Sequence, residues 1–331
     1  MSDLYHPEPQ QTVVEQVRFG KTKLFISPII IDLKLSDLKT VDSYHEKQDK
    51  GFSEMIKYCY DRGLRTFSVD QDNGAALSNF LRRYKLPPTR VVIASRLEFP
   101  PAYNPEFTRA KLTKQSGFLR TYVFKRVKEL LYGVGKHIDI LEIASWDPTL
   151  SREELLSALT ELVARGDVRY TTIRAKTVEE FKDWQQLAEK NNWTKFSGLQ
   201  LTFGLFHSEF HKDKIRYARE NGIGLLSCVP SDGGVAVKPS TTERRPAAPQ
   251  RQNSVDLRFL NEEQHRAFES LQAIAERKGV ARTVVLAARA LMNGIWPMIG
   301  CSNVGHVEQA LKAFQTHLTP QEWASLEVHL G

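Results

Sequence analysis

The sequence predicts a (β/α)8 barrel of the α/β class, and three observations carry that expectation. Short apolar runs alternate with amphipathic segments along most of the chain, which is the order of a parallel sheet covered by helices. No G-x-G-x-x-G follows any of the runs, so the doubly wound dinucleotide-binding sheet falls away. The length, 331 residues, suits one large barrel.

In chain order, "LRTFSV", "RVVIAS", "IDILEIAS", "VRYTTI", "SGLQLTF", "GIGLLSCV" and "IWPMIG" read as buried strands, bounded by polar and glycine-containing stretches. An eighth strand is expected near "PPAYN" or elsewhere. Between the runs, "GFSEMIKYCYDRG", "TRAKLTKQSGFLRTYVFKRVKELLYGVG", "SREELLSALTELVARG" and "TVEEFKDWQQLAEKNN" return an apolar face at i, i+3 and i+4. Ser151 and Glu154 carry the Ser-x-x-Glu capping signature. Gly63, Gly166 and Gly279 fall where helices end. The stretch "TFSVDQDNG", Thr66 to Gly74, reads as a strand end followed by a loop, the place where such a barrel keeps its chemistry. Residues 237–256 are rich in Pro, Ser, Thr and Arg and read as a flexible loop within the barrel. The organisation is a polar arm over residues 1–17 and one barrel over 18–331.

A net charge of +7 comes from Lys and Arg scattered among Asp and Glu, with no basic tract interleaved with aromatics, so nucleic acid is not an expected partner. Cys59, Cys228 and Cys301 are far apart and show no metal-ligand spacing, which suggests reduced thiols and no metal. The polar beginning "MSDLYHPEPQQTVVEQ" has no apolar h-region. No apolar run approaches the roughly 20 residues that a membrane helix needs. The expectation is a cytoplasmic protein with a small-molecule ligand and room for a protein partner.

Taken in order from about Arg18 to Leu330, the segments resemble the aldo-keto reductase superfamily, with the flavour of its fungal aryl-alcohol-dehydrogenase-like and pyridoxal-reductase-like members. "KTKLFISPI" resembles the family's N-terminal β-hairpin plug, and "HIDILEIASWDP" its fourth strand. "NNWTKFSGLQLTFGLF" is similar to the strand with a nicotinamide-contacting Gln, and "PMIGCSNVGHVEQAL" to the C-terminal cofactor motif. The resemblance implies carbonyl reduction by hydride transfer from NADPH. In such sites a Tyr supplies the proton and a Lys lowers its pKa. An Asp holds the Lys, and a His orients the carbonyl oxygen.

The same resemblance shows where this chain departs from the pattern. The family motif F-D-T-A-D-x-Y-G is matched by Phe67-Ser68-Val69-Asp70-Gln71-Asp72-Asn73-Gly74, so Ser68 takes the Asp position and Asn73 the Tyr position. Arg96 takes the Lys position and Ala144 the His position. A register shift brings Asp70 or Asp72 into the Asp slot, but none brings a Tyr, because Tyr84 already belongs to the next helix. An Arg at position 96 wants a carboxylate, for which Asp70 and Glu142 are the candidates.

At the cofactor site Asp32-Leu33 replaces a Gly-Thr pair, and Arg174-Ala175 replaces the Ser-Asn clamp on the carboxamide. Ser302 and Asn303 stand where a basic residue meets the 2′-phosphate, and Gln309-Ala310 replaces an acid/Asn pair near adenine. Gln200, Pro230, Gly300 and Ser302 match the family. His207, Trp146 and Phe203 are placed near the barrel mouth, and His306 at a helix end. Three readings remain open. The first is a repurposed pseudoenzyme of small-molecule, fungal secondary metabolism, with Arg96 and Asn73 as oxyanion donors and Asp70 or Asp72 as base. The others are an atypical NADPH-dependent reductase and a non-catalytic binding or regulatory subunit.

Overall fold

The computed structural model describes residues 13–33, 46–99, 117–135, 137–206, 211–228 and 260–328. "PPAYN", His207, Pro230, residues 237–256, most of the 1–17 arm and the side chain of Asp72 lie outside the described residues.

A short antiparallel hairpin, β1 (Val17–Arg18) and β2 (Phe25–Ile26), precedes the barrel. The barrel strands are β3 (Ile30–Leu33), β4 (Thr66–Val69), β5 (Val92–Leu97), β6 (Ile138–Ile143), β7 (Val168–Ile173), β8 (Gly198–Leu201), β9 (Gly224–Cys228) and β10 (Trp296–Cys301). They pair in sequence order, all parallel, and β10 returns to β3 to close the cylinder. The eighth strand is β3, directly after the segment that resembles the plug, and its four residues are pinned by pairing with β10 and β4.

Around the cylinder run α1 (Glu46–Asp61), α2 (Gln71–Arg83), α3 (Phe118–Val134), α4 (Arg152–Ala164) and α5 (Val178–Lys190). They are followed by α6 (Lys212–Asn221), α7 (Glu262–Lys278), α8 (Arg282–Met292), α9 (Val304–Leu311) and α10 (Pro320–Ser325).

Local chemistry sets the helix ends. Ser151 Oγ accepts from the Glu154 N–H at 3.1 Å, as its capping signature predicts. Glu154 does not reach back, however; its carboxylate accepts from the Arg120 backbone N–H instead, tying α4 to α3. Complete capping boxes start α7 (Asn261 with Gln264) and α10 (Thr319 with Glu322). The long helical pattern from Thr108 is described from Phe118, immediately after Gly117 in the left-handed region. Gly279 ends α7 at φ 65°, a conformation that costs a side-chain-bearing residue more than glycine.

Alternation along each strand separates two layers. Ile31, Phe67, Ile93, Leu141, Leu199 and Leu225 point outward into the cores under the helices. Ile30, Ala94, Ile140, Leu226 and Met298 point inward, where Phe19, Leu24 and Ile26 of the hairpin plug the cylinder. The plug fits because strands β8 and β9 begin with glycine. A Cβ on Gly224 would lie 2.2 Å from the Phe19 ring, and one on Gly198 would lie 2.5 Å from it. Gly224→Ala is therefore expected to cost about 1–3 kcal/mol through overpacking. An unchanged urea midpoint would show that Phe19 moves aside freely.

Candidate functional site

The inward alternation that seats the plug continues one step higher on each strand and turns polar. Asp32, Ser68, Arg96, Glu142, Thr172, Gln200 and Cys228 share the inner face with the plug-facing residues below them. Gly300 pairs with Asp32, and Asp32 with Ser68. Arg96 pairs with Glu142, and Glu142 with Thr172. Closing the cylinder thus gathers at one level groups that lie up to 268 residues apart in sequence, from Asp32 to Gly300.

Glu142 is the centre of this layer. It is fully buried and accepts from Gln200 Nε2 at 2.7 Å. Arg96 Nε lies 3.9 Å from its Oε2, so Arg96 finds its carboxylate in Glu142, with Glu98 at 3.9 Å on the other side. The alternative partner, Asp70, has another task, described below. Burial pushes the Glu142 carboxyl up to about 7, with Arg96 and Arg174 pulling it down and Asp32 pushing it further up. Burial works to lower the Arg96 guanidinium, but the groups around it, Cys228 and Glu142 first, then Asp32 and Glu98, raise it, so it stays charged.

Arg96 also donates to Cys228 Sγ at 3.2 Å, and Gln200 Nε2 approaches the same sulfur at 3.4 Å. Burial raises the Cys228 thiol. On the rim, Arg174 is exposed and donates to Gln200 Oε1 at 3.4 Å. A continuous polar chain therefore runs Arg174–Gln200–Glu142–Arg96–Cys228. Thr172 and Cys228 join this layer without a functional motif to mark them in the sequence. The sequence signal for them is alternation, which in "VRYTTIR" and "GLLSC" puts Thr172 on the face of Tyr170 and Cys228 on that of Leu226.

The Thr66–Gly74 stretch differs from its sequence reading. The strand ends at Val69, and helix begins at Gln71, so Asn73 sits in the first turn of α2 and not in a loop. Asp70 and Asn73 cap each other: the Asn73 N–H donates to Asp70 Oδ1 at 3.0 Å, and the Asp70 N–H donates to Asn73 Oδ1 at 2.7 Å. Asn73 Nδ2 also donates to the Leu33 carbonyl, tying α2 to the end of β3. Asn73 is 1% exposed. This arrangement is a reciprocal cap of the capping-box kind with Asn in the Glu/Gln place. Ser68 and Ala144, at the other two matched positions, are both buried.

The remaining candidates separate by environment. Trp146 packs edge-on against Trp184 with centroids 5.0 Å apart, and Phe203 is buried beneath the Arg289 guanidinium. Phe203 belongs to the buried core, and Trp146 is half-buried against the edge of that core. Ser302, Asn303 and His306 bond to one another at the start of α9: Asn303 Oδ1 accepts the His306 N–H, and His306 Nδ1 lies 3.2 Å from Ser302 Oγ. Among the described residues no group of three or more His, Cys, Asp or Glu is placed to hold a metal, and no helix is long and apolar enough to cross a membrane.

The family model described as the aldo/keto reductase family matches residues 54–330. The chain is 30% identical, over 95% of its length and 96% of the relative's, to a Saccharomyces cerevisiae protein whose name assigns it to the aryl-alcohol dehydrogenases. A Schizosaccharomyces pombe protein of like name is 26% identical over 83% of each chain. The versiconal hemiacetal acetate reductase of Aspergillus parasiticus is 24% identical over 95% of this chain and 96% of its own.

Proposed function

We propose that this chain, which belongs to the aldo/keto reductase family, uses its barrel mouth for ligand binding or non-redox carbonyl chemistry and not for hydride transfer. The observation that carries this reading is Asn73. It holds the position that the family resemblance gives to the proton donor, and its side chain is engaged in capping α2 and holding Leu33. An amide has no proton to transfer at a usable pKa. Arg96, in the Lys place, is bound to a carboxylate on its own side of the barrel, and Ser68 offers no charge to hold it.

The dinucleotide that the family generally uses fits the described residues poorly. Gln200, the expected nicotinamide contact, already has its amide engaged by Arg174, Glu142 and Cys228. Asp32 brings a carboxylate to the strand end where a Gly-Thr pair is expected, and like charges repel cofactor phosphates. From Cys301 to Leu311 no Lys or Arg is present to meet a 2′-phosphate, and the polar groups at the start of α9 satisfy one another. The match to fungal reductases of small-molecule metabolism supports a ligand of that size class, an aromatic or carbonyl-bearing compound.

The test is a titration of intrinsic fluorescence with NADPH, followed by turnover with a small aromatic aldehyde. The expected result is weak binding, with a dissociation constant above ~1 μM, and a wild type that turns over far below roughly 1 s⁻¹. Tight binding with ordinary turnover would establish the rival reading, an atypical NADPH-dependent reductase. Weak binding with no chemistry on any carbonyl compound would favour the binding or regulatory subunit.

A further inference from the structure

Three inward-facing side chains, Arg96, Glu142 and Thr172, lie side by side in one row across β5, β6 and β7. Each keeps a buried polar atom without a hydrogen-bond partner among the described residues: Arg96 Nε, Glu142 Oε1 and Thr172 Oγ1. Buried polar atoms are paired in the great majority of cases. Three orphans at adjacent strand positions, two donors and a carboxylate oxygen between them in the register, point to an oxygen-bearing guest. Arg96, whose side chain is 29% exposed, is the member of the row that reaches solvent, and Arg174, which bonds Gln200 beside Glu142, is exposed.

We propose that this row is a proton-transfer site for a 2-oxo acid or a closely similar enolisable carbonyl compound. Glu142 acts as acid and base, Arg96 and Thr172 hold the carbonyl oxygen, and Arg174 takes the carboxylate. This assignment rests on the non-redox reading above. In the step, the C–H bond next to the carbonyl breaks and its proton goes to Glu142 Oε1. The electron pair of that bond forms C=C, and the carbonyl π pair moves to oxygen, where the Arg96 guanidinium and the Thr172 hydroxyl stabilise the growing charge. Glu142 returns the proton to carbon or oxygen, and no oxidation state changes. Arg96, Asp32 and Arg174 are the charged groups that act on Glu142, and Cys228, Glu142, Asp32 and Glu98 act on its partner Arg96. Burial pushes Glu142 up to about 7, which suits a group that must both take and give a proton at neutral pH.

The experiment uses phenylpyruvate as the probe, in D2O and without nucleotide, with exchange of its C3 hydrogens followed by proton NMR. The wild type is expected to accelerate exchange over buffer, with a rate that rises with pH to a plateau above about 7, as Glu142 ionises. Glu142→Gln is expected to lose about 10²-fold or more, and Arg96→Met about 10²-fold. If Glu142→Gln does not fold, Glu142→Asp carries the test: a slower rate that keeps its rise near neutral pH supports the site, and a flat profile overturns it. Wild-type exchange equal to buffer, or a folded Glu142→Gln equal to wild type, overturns the proposal. NADPH consumption with an aldehyde, measured separately, would sink the non-redox reading, so the two failures are told apart.

Discussion

Replacing Asn73 with alanine is expected to lower the stability of the barrel by about 2–4 kcal/mol, the sum of a lost cap and of buried groups left unpaired. The substitution removes the acceptor for the Asp70 N–H and the donor to the Leu33 carbonyl, and it strands Asp70 as half of a cap. Both ties lie where β3, β4 and α2 meet, at the C-terminal end of the barrel. Asn73→Asp is not expected to rescue the loss, because a carboxylate oxygen would then face the Leu33 carbonyl. Urea unfolding measures the effect, and a change of less than about 0.5 kcal/mol, the range of an ordinary surface substitution, would refute the structural role. The same loss confronts Asn73→Tyr. Rebuilding the reductase tetrad with Ser68→Asp, Asn73→Tyr, Arg96→Lys and Ala144→His must therefore first overcome a destabilised α2 start.

A second large effect is expected in the dependence of stability on pH. Glu142 titrates at about 7 in the folded chain against an ordinary value of 4.5. Between those values the folded state binds more protons than the unfolded state, so the contribution of Glu142 falls as pH rises and levels off above about 7. A difference of about 2.5 units corresponds to a decline on the order of 3 kcal/mol. Glu142→Gln, which keeps the shape and removes the charge, should flatten the curve between about pH 4.5 and 7, the window set by those two values. A wild type and a Glu142→Gln variant with parallel curves would show that Glu142 does not carry the shift. The acid limb belongs to other carboxylates. Although burial works upward on Glu322, its bonds to the Thr319 N–H, Arg277 and Lys278 hold it at about 2.

Much of the architecture could be read along the chain, because barrel strands carry an apolar outer face and helices carry an apolar stripe. The seven runs and the helix ends at Gly166 and Gly279 followed from that chemistry. β3 did not. Its four residues, Ile-Ile-Asp-Leu, adjoin the hairpin and look like part of it until pairing with β10 and β4 makes them the closing strand. Asn73 reads as loop in the sequence because a cap with Asn in the Glu/Gln position carries no familiar signature. Phe203 reads alike at the mouth or in the core, because an aromatic side chain at a strand end has the same sequence whether it faces a ligand or a neighbour such as Arg289.

The site divides along the same line. Alternation within one strand put Glu142 on the face of Ala144 and made it a candidate partner for Arg96, since that relation is local and has a period of two. The union of Arg96 and Glu142 with Thr172, Gln200 and Cys228 has no local period. It arises from the register in which each strand meets the next, and that register is set by how outer-face side chains pack beneath the helices and by how Phe19 sits on Gly198 and Gly224. Short-range chemistry was enough for strands, helices and caps, because their hydrogen bonds and faces are decided within a few residues. Which carboxylate is buried, and which guanidinium stands beside it, waited for the cylinder to close, because burial is a property of the neighbours that closure brings.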